Sequence, residues 1–279
     1  MKSSSTQPHA LPDHHSDLPR VRARSLDIGY AGESIVAGVN FQLEAGQSLA
    51  LIGMNGSGKS TLLKTLVGLL SPLGGEIEVL GGRPGTAPRQ IAYLSQFHGT
   101  EFILPLRAVD VVQMGRFPER GLLGRMTPED DRLVHEAMGR MGIAALADAP
   151  LRTMSGGQQQ RTYLAQVLAH RADLIILDEP TAGLDAAGKD AYIHAMKAEL
   201  ARGATLITAT HDIQEASTCD LVLLLARRVV GLGPPGEVLT SGALLETFGI
   251  AFKPQDQLAS VAAVVQEHGH DHSHAGHRH

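Results

Sequence analysis

The chain has 279 residues, of which 43% are hydrophobic and 19% charged, and its formal net charge is −5 at pH 7. This length and composition allow a sizeable buried core and exclude a chain that is disordered throughout. Apolar runs such as 221–226 are far shorter than the ~20 residues that span a bilayer, and residues 1–20 lack a signal-peptide core, so we expect a cytoplasmic protein. The negative net charge gives no support for nucleic-acid binding, and no nucleic-acid partner is predicted.

The first residues are rich in Ser, Pro, His and Asp and show no periodicity, which predicts a flexible arm over residues 1–20. From Val21 onward, short apolar runs alternate with helical patterns. This alternation predicts an α/β fold with a mainly parallel sheet and helices on its faces. The predicted strands cover residues 49–52, 174–177 and 206–209. The helices that follow them are predicted over residues 60–70, after Asp185 and over residues 212–217.

Between about residues 97 and 166 the strand patterns stop and helical segments follow one another, which predicts a helical subdomain inserted into the α/β core. One of these helices begins at the sequence TPED, residues 127–130. A hydroxyl cap, a proline and an acid at the third helical position explain this acidic cluster as a cap rather than a catalytic group. We predict one domain over residues 21–254, followed by a C-terminal extension, 255–279, with a short helix at 255–266 and a low-complexity tail from 267.

Residues 53–60, with the sequence GMNGSGKS, match the phosphate-binding loop pattern, and they lie between a predicted strand and a predicted helix as that motif requires. The glycines let backbone N–H groups face the phosphates. Lys59 is predicted to add a positive charge at the β- and γ-phosphates, and the Ser60 hydroxyl to hold Mg²⁺. The residues predicted to bind the nucleotide here are Gly53, Asn55, Gly56, Ser57, Gly58, Lys59, Ser60 and Thr61.

Two carboxylates end a second apolar run, with the sequence LIILDE at 174–179. Such a run is typical of a buried strand whose C-terminal end opens into a ligand crevice. Because adjacent residues of a strand point to opposite faces, the two acids are predicted to have different roles. Asp178 is predicted to reach the Mg²⁺ shell, directly or through water, and Glu179 to act as the general base that orients or deprotonates the attacking water.

The sequences SGGQ at 155–158 and LDEP at 177–180 resemble motifs of the ATPase domain of ABC transporters, and the resemblance extends from about Val21 to Ile250. It implies a P-loop NTPase core with a mainly parallel sheet, an antiparallel β part on the N-terminal side and an inserted helical subdomain. It also implies ATP hydrolysis coupled to transmembrane transport, with ATP and Mg²⁺ as cofactors. Met154 stands where the family commonly has leucine, and a similarly apolar side chain should have little effect.

The resemblance further implies roles for single residues outside the phosphate loop. Tyr30 would stack on adenine, and His211 would contact the γ-phosphate. Gln96 would link Mg²⁺ to the transmembrane partner. Asp185 lies in the segment that would cross the seam between two ATPase subunits. The signature residues would complete the ATP site of the second subunit; they are Ser155, Gly156, Gly157 and Gln158. The implied catalytic set is Lys59, Gln96, Glu179 and His211.

The partners implied by the resemblance are a second copy of this chain and separate integral-membrane permease subunits. Two chains would close head to tail around two ATP molecules, and one chain alone would hydrolyse ATP poorly. Because the chain has no predicted membrane span, movement would be passed to the permease through the region near Gln96 and the inserted helices. The protein would then be peripheral, at the cytoplasmic face of the inner membrane.

The segment VDVVQMGRFP at 109–118, together with GLDA at 183–186, is similar to ATPases of zinc and manganese importers and, less closely, of iron-siderophore and haem importers. It implies metal import, with zinc preferred, and an extracytoplasmic metal-binding protein in the same system. Manganese and iron-siderophore or haem are the alternatives. Two remote alternatives are a soluble ABC ATPase without a transport role and a metal-delivery nucleotidase. The first usually has a long coiled coil or a second ATPase domain, and the second lacks SGGQ and the counterpart of His211.

Histidine is concentrated at the two ends of the chain, and the alternating His-x-His spacing near the C-terminus offers overlapping ligand sets for Zn²⁺, Ni²⁺ or Cu²⁺. The candidate zinc ligands are His268, His270, His272, His274, His277 and His279. The alternatives are a solubilising tail and a purification tag, although a tag is usually an unbroken histidine run.

Overall fold

The computed structural model describes residues 19–96, 105–121 and 124–249. The strands of this part are β1 (Val21–Tyr30), β2 (Glu33–Leu43), β3 (Ser48–Ile52), β4 (Gly74–Val79), β5 (Ile91–Leu94), β6 (Leu174–Asp178), β7 (Thr205–Thr210), β8 (Leu221–Leu225) and β9 (Val229–Gly233). Its α-helices are α1 (Lys59–Leu66), α2 (Ala108–Met114), α3 (Phe117–Arg120), α4 (Pro128–Arg140), α5 (Gly156–His170), α6 (Ala186–Ala201), α7 (Ile213–Ala216), α8 (Pro235–Val238) and α9 (Ser241–Phe248).

The larger sheet has the strand order β5-β6-β7-β3-β8-β9, and all neighbours are parallel except the antiparallel pair β8 and β9. Both faces of this sheet are covered. Leu174 and Ile176 of β6 pack on the side of α1, whereas Ile175 and Leu177 pack on the side of the helices α2, α4, α5 and α6. Burial on both faces explains why the strands read as continuous apolar runs, and the predicted parallel sheet is confirmed.

A second sheet, with the order β2-β1-β4, is antiparallel. Its apolar side chains, such as Leu26 and Val39, share a core with Leu62 and Leu66 of α1. The small sheet therefore lies on the same side of the large sheet as α1. The antiparallel β part implied by the family resemblance is confirmed.

The helices α2 to α5 form the inserted helical part, and α5 leads the chain back to the large sheet at β6. The predicted cap of α4 is confirmed, because Thr127 is the N-cap, Pro128 follows it and the Asp130 carboxylate accepts a hydrogen bond from Thr127 N. Asp130 is also fully buried and pairs with Arg116 and Arg120, at 2.9 and 2.7 Å. Burial alone would raise the pKa of Asp130, but hydrogen bonds from Thr127, Arg120 and Arg116 outweigh it and hold the pKa well below its usual range.

Helix α1 ends earlier than predicted. The sequence pattern predicted a helix over 60–70, whereas α1 ends at Leu66 and the chain then turns at Gly68, where φ is +82°. Leu69 N donates to Lys64 O and closes the helix end. A left-handed glycine after the last turn is a common helix stop, and the leucines that follow extended the apolar pattern without extending the helix.

The other predicted elements agree with the structure within one or two residues. Strands β3, β6 and β7 contain the predicted ranges, and α6 begins directly after Asp185. Helix α7 is shorter than predicted, since Asp212 and Ser217 are its caps rather than helical residues. The predicted arm up to residue 18, the predicted helix at 255–266 and the six tail histidines lie outside the described residues. In the part that the structure describes, no helix is long and apolar enough to cross a bilayer.

Candidate nucleotide-binding site

The phosphate loop joins the C-terminal end of β3 to the start of α1. Gly58, the last residue before the helix, has a φ of +111°, and a methyl group there would lie only 2.6 Å from Val36 Cγ2 on β2. Both the backbone conformation and the close approach of β2 require glycine at this position. Strand β2 of the small sheet therefore packs directly against the loop.

Lys59 is buried beneath the phosphate loop, with 6% of its surface exposed. Its Nζ donates hydrogen bonds to Gly53 O at 2.6 Å and to Met54 O at 3.1 Å. Burial lowers the pKa of the Lys59 ammonium, and the carboxylates of Glu179 and Asp178 oppose that shift. The ammonium is thus held under the loop, where phosphate oxygens could replace the two carbonyl acceptors.

Asp178 lies at the end of β6, on the face of the sheet covered by α1, and is 3% exposed. Burial raises the pKa of Asp178, the hydrogen bond from the Ser60 hydroxyl lowers it, and the neighbouring Glu179 raises it. Ser60 and Asp178 are therefore in direct contact. Hydroxyl and carboxylate oxygens are the ligands that Mg²⁺ prefers, so this pair fits the predicted ion.

Glu179 lies just beyond β6 rather than within it. Its φ is +52°, and its N–H still donates to Ala209 O of β7 at 2.8 Å. The two carboxylates are therefore separated by the left-handed turn at Glu179. They are not separated, as predicted, by the alternation of side chains along a strand. The turn brings Glu179 Oε2 within 3.1 Å of Gln96 Nε2, which donates to it.

His211 follows β7, the strand between β3 and β6. Thr210 pairs with Ile52 at the entry to the phosphate loop, and Ala209 pairs with Asp178. His211 therefore lies at the same edge of the sheet as the loop and the carboxylates, and it is half-buried. We call this set the phosphate-loop half; it comprises residues 53–61, Gln96, Asp178, Glu179 and His211.

Tyr30 ends β1 and is 68% exposed. It pairs with Glu33 in the hairpin between β1 and β2. Strand β2 is also the strand that packs against Gly58 through Val36. The exposed ring is thus carried by the hairpin that adjoins the phosphate loop. An exposed aromatic face is able to stack on a planar base.

The signature residues and Asp185, which we call the signature half, lie at the starts of α5 and α6. Ser155 Oγ accepts from Gln158 N, and Gln158 Oε1 accepts from Ser155 N, which forms a capping box. Asp185 Oδ1 accepts from Gly188 N at 2.9 Å. Ser155, Gly156 and Asp185 are exposed, in contrast to the buried Lys59 and Asp178.

Two polar side chains close to Asp178 and Glu179 were not predicted from the sequence. Tyr93 on β5 pairs with Ile176 on β6, so its ring lies on the same face as Asp178. Burial together with the Asp178 charge raises the pKa of Tyr93 to about 12. Gln160 Nε2 donates to Pro180 O at 2.8 Å and ties α5 to the segment after Glu179. The position of Tyr93, three residues before Gln96 on a strand, was the signal available in the sequence.

A glycine loop between β3 and α1, a buried lysine beneath it and two carboxylates at the C-terminal end of β6 define a phosphate-loop nucleotide hydrolase. The family model described as "ABC transporter" matches residues 36–182. The chain belongs to the ABC transporter family, as an ATP-binding component that hydrolyses ATP with Mg²⁺ as its cofactor.

The relatives cover most of the chain. The manganese transport system ATP-binding protein MntB of Bacillus subtilis (strain 168) is 34% identical over 230 residues, which are 82% of this chain and 92% of that protein. The zinc transport system ATP-binding protein TroB of Treponema pallidum (strain Nichols) is 35% identical, over 82% of this chain and 86% of that protein. A solved structure of the ATP binding subunit of an ABC transporter superposes with a TM-score of 0.68 at 26% identity, over 88% of this chain and 99% of that one.

Proposed function

We propose that this chain is the ATPase subunit of an importer for a transition metal, with zinc as its substrate. The observation that carries the proposal is the similarity, over more than four fifths of the chain, to ATP-binding proteins named for manganese and for zinc transport. The sequence resemblance of residues 109–118 and 183–186 to metal-importer ATPases supports the same class.

In the proposed mechanism, the phosphate-loop half binds the triphosphate and Tyr30 stacks on the adenine. Lys59 exchanges its contacts with Gly53 O and Met54 O for oxygens of the β- and γ-phosphates. Ser60, Asp178 and Gln96 would hold Mg²⁺, which neutralises phosphate charge when bound. The buried position of Lys59 concentrates its charge on the phosphates, because the surroundings screen it weakly.

Hydrolysis then depends on Glu179 and His211. Glu179 acts as the general base that orients and deprotonates the attacking water. Gln96, which donates to the Glu179 carboxylate at 3.1 Å, keeps that carboxylate in place until the site fills. His211 contacts the γ-phosphate from the neighbouring strand end. The left-handed turn at Glu179 supports this division, since it moves the base out of line with Asp178.

The signature half is proposed to act on the ATP of a second copy of this chain. A hydroxyl can accept one hydrogen bond and donate another, so Ser155 can cap α5 and still donate to a γ-phosphate. Gly157 N–H and the positive end of α5 would add to this contact. Closure of the homodimer would move separate permease subunits at the cytoplasmic face of the inner membrane. An extracytoplasmic metal-binding protein would deliver the metal.

The histidine-rich C-terminal tail is proposed to bind Zn²⁺ through the six histidines from His268 to His279. Imidazole coordinates metal only when it is neutral, so binding should weaken as the pH falls through ~6.5. Full-length protein and a variant lacking residues 267–279 would be compared by zinc titration at pH 7.5 and 5.5. Equal affinity of the two proteins at pH 7.5 would contradict the proposed tail site.

The proposed substrate is tested by measuring the metal content of cells that lack this chain and grow with limiting metal. We expect a zinc deficit that the intact chain restores and that Glu179→Gln does not restore. Glu129→Gln, which makes the same change on an exposed residue of α4, serves as the matched control and should restore zinc. Unchanged metal content in all strains would contradict metal import.

Manganese is the second candidate, because a manganese transport protein is about as similar to this chain as the zinc transport protein. The same experiment separates the two metals. A deficit in manganese with normal zinc would reassign the substrate, and a deficit in iron would favour an iron-siderophore or haem importer.

A further inference from the structure

Glu215 is a carboxylate on α7 that the proposed mechanism does not use. Its Oε1 accepts a hydrogen bond from the Tyr192 hydroxyl at 2.8 Å, and its Oε2 accepts from Thr210 Oγ1 at 2.9 Å and Thr181 Oγ1 at 3.3 Å. Thr208 Oγ1 lies 3.4 Å from Oε1 and donates a longer bond. Burial raises the pKa of Glu215, and the hydroxyl hydrogen bonds from Thr210 and Tyr192 oppose this shift. Four hydroxyl groups thus converge on one carboxylate.

The hydroxyl groups come from three segments that each carry a residue of the proposed site. Thr181 follows Glu179 by two positions. Thr210 directly precedes His211. The tyrosine lies on α6, whose first turn is capped by Asp185. A single carboxylate therefore joins the segments of the general base, of the γ-phosphate contact and of the predicted dimer seam.

The turn that carries His211 is connected to Glu215 on both sides. Thr210 Oγ1 donates to Glu215 and accepts a hydrogen bond from Asp212 N at 3.0 Å. Asp212 Oδ1 in turn accepts from Glu215 N at 3.3 Å, and Asp212 Oδ2 lies 3.7 Å from Lys189 Nζ of α6. The two residues that flank His211 are thus both fixed by contacts that include Glu215.

We propose that Glu215 is a positioning residue for ATP hydrolysis, whose carboxylate holds the turn carrying His211 against the segment that follows Glu179. The inference rests on the proposed function, which assigns the two held residues their roles. A displacement of about 1 Å in a reacting group can cost about 10² in rate. The loss should therefore fall on kcat, while the affinity for ATP, which the phosphate loop and Tyr30 set, should change little.

The sharpest test compares two valine substitutions on the same strand, β7. Thr210 and Thr205 are 1% and 0% exposed, and each hydroxyl donates a hydrogen bond of 2.9 Å, to Glu215 and to Glu44 O respectively. Thr210→Val removes the link to Glu215, whereas Thr205→Val removes a comparable link at the far end of the strand. With the purified full-length chain and MgATP, we expect Thr210→Val to lower kcat about 10-fold with KM within about twofold of the parent value. Thr205→Val should leave both within about twofold of that value.

Substitutions of Glu215 itself provide the rescue test. We expect Glu215→Ala to lower kcat by about 10². Glu215→Gln should restore the rate to within about fivefold of the parent, since the amide oxygen accepts from Tyr192 and the amide nitrogen donates to the threonine hydroxyls. Equal rates for the two valine variants, or a rise in KM that matches the fall in kcat, would overturn the inference. If Glu215→Ala does not fold, the valine pair decides.

Glu179→Gln, measured beside these variants, separates the inference from the proposed function. If Glu179→Gln is inactive and Thr210→Val keeps the full rate, the role of Glu215 is wrong and the role of Glu179 stands. If Glu179→Gln hydrolyses ATP as fast as the parent, the proposed role of Glu179 is wrong and the inference about Glu215 is lost with it.

Discussion

The phosphate-loop half and the signature half are built from different kinds of contact. In the first, Lys59 and Asp178 are buried, and Glu179 is fixed by groups far away in the chain, at Gln96 and Ala209. In the second, Ser155 and Asp185 are exposed, and their side chains bond only three residues ahead to cap a helix. Burial and long-range contacts build the first half within one chain, whereas local capping leaves the second on an exposed surface. This difference suits the proposal that a second chain completes the site.

The two halves are nevertheless connected within one chain. Gln160, one turn into α5, donates to Pro180 O directly after Glu179. A shift of α5 would therefore displace the segment next to the general base, Glu179. We therefore expect substitutions in the phosphate-loop half to alter the chemistry or the ATP affinity of the chain that carries them, and substitutions in the signature half to alter hydrolysis only when two chains meet.

The largest effect is expected from Glu179→Gln. We expect kcat to fall by about 10³, since a general base contributes about 10²–10⁴ in rate. Glutamine can still accept the hydrogen bond from Gln96, so ATP affinity should remain near the parent value. ATPase assays would measure the rate. Size-exclusion chromatography with ATP would detect a persistent ATP-bound dimer. Glu129→Gln is the control, and an active Glu179→Gln enzyme would contradict the assignment of the base.

The next effect is expected from Lys59→Ala, which should raise the Kd for ATP by about 10²-fold because a hydrogen-bonded positive charge is lost from the phosphates. Equilibrium binding of a fluorescent ATP analogue to dilute, monomeric protein would measure it. Lys197→Ala, on the exposed surface of α6, should bind as the parent does. Unchanged affinity in Lys59→Ala would mean that Lys59 does not bind the triphosphate, and it would contradict the proposed division between the two halves.

Substitutions at Ser155 test the signature half. Ser155→Ala loses the helix cap, which should cost about 1 kcal/mol of stability, and it should lower kcat about 10-fold while monomer affinity for ATP is unchanged. Ser155→Asp keeps a capping oxygen and should be as stable as the parent, yet its charge repels the γ-phosphate and kcat should fall further. Thermal unfolding and ATPase rates would show opposite orders for the two variants. If the ATPase rates of the two variants followed the order of their stabilities, Ser155 would act only as a helix cap.

The sequence predicted the parts of the site that depend on local pattern. The phosphate loop, the strand ends and the cap at Thr127 follow from short-range rules, and the structure places them as expected. The left-handed turn at Glu179 could not be predicted, because it is stabilised by a hydrogen bond to Ala209 on another strand. The same holds for Tyr93, which the register of β5 and β6 brings to the face of Asp178.

Asp130 shows the same limit in the helices that support the signature half. Its role as a cap was visible in four consecutive residues, whereas its pairing with Arg116 required knowledge of how α3 and α4 meet. The two arginine partners come from the chain segment before α4, and they convert a local cap into a buried ion cluster. Sequence patterns report which residues can cap a helix but not which of them the tertiary structure buries.

The smallest effect on hydrolysis is expected from Asp130→Asn, because this cluster supports α4 and touches no residue of the phosphate-loop half. The variant keeps the shape but loses the charge opposite Arg116 and Arg120, so we expect a loss of about 2 kcal/mol of stability at pH 7, with ATP affinity unchanged. The pKa of Asp130 is lowered in the folded state, so its charge stabilises the protein above the unfolded-state pKa of about 3.9, and this stabilisation is lost as the pH falls through the folded-state value.

Urea unfolding of the parent, Asp130→Asn and the exposed control Asp131→Asn at pH 7, 5 and 3 would test this. The difference between the parent and Asp130→Asn should be full at pH 7 and pH 5 and should begin to shrink at pH 3, whereas Asp131→Asn should stay close to the parent. A difference that does not depend on pH would mean that shape rather than charge holds α4 in place. A parallel loss of ATP affinity by the monomer would mean that the helices of the signature half also support the phosphate loop, and the separation between the two halves would then fail.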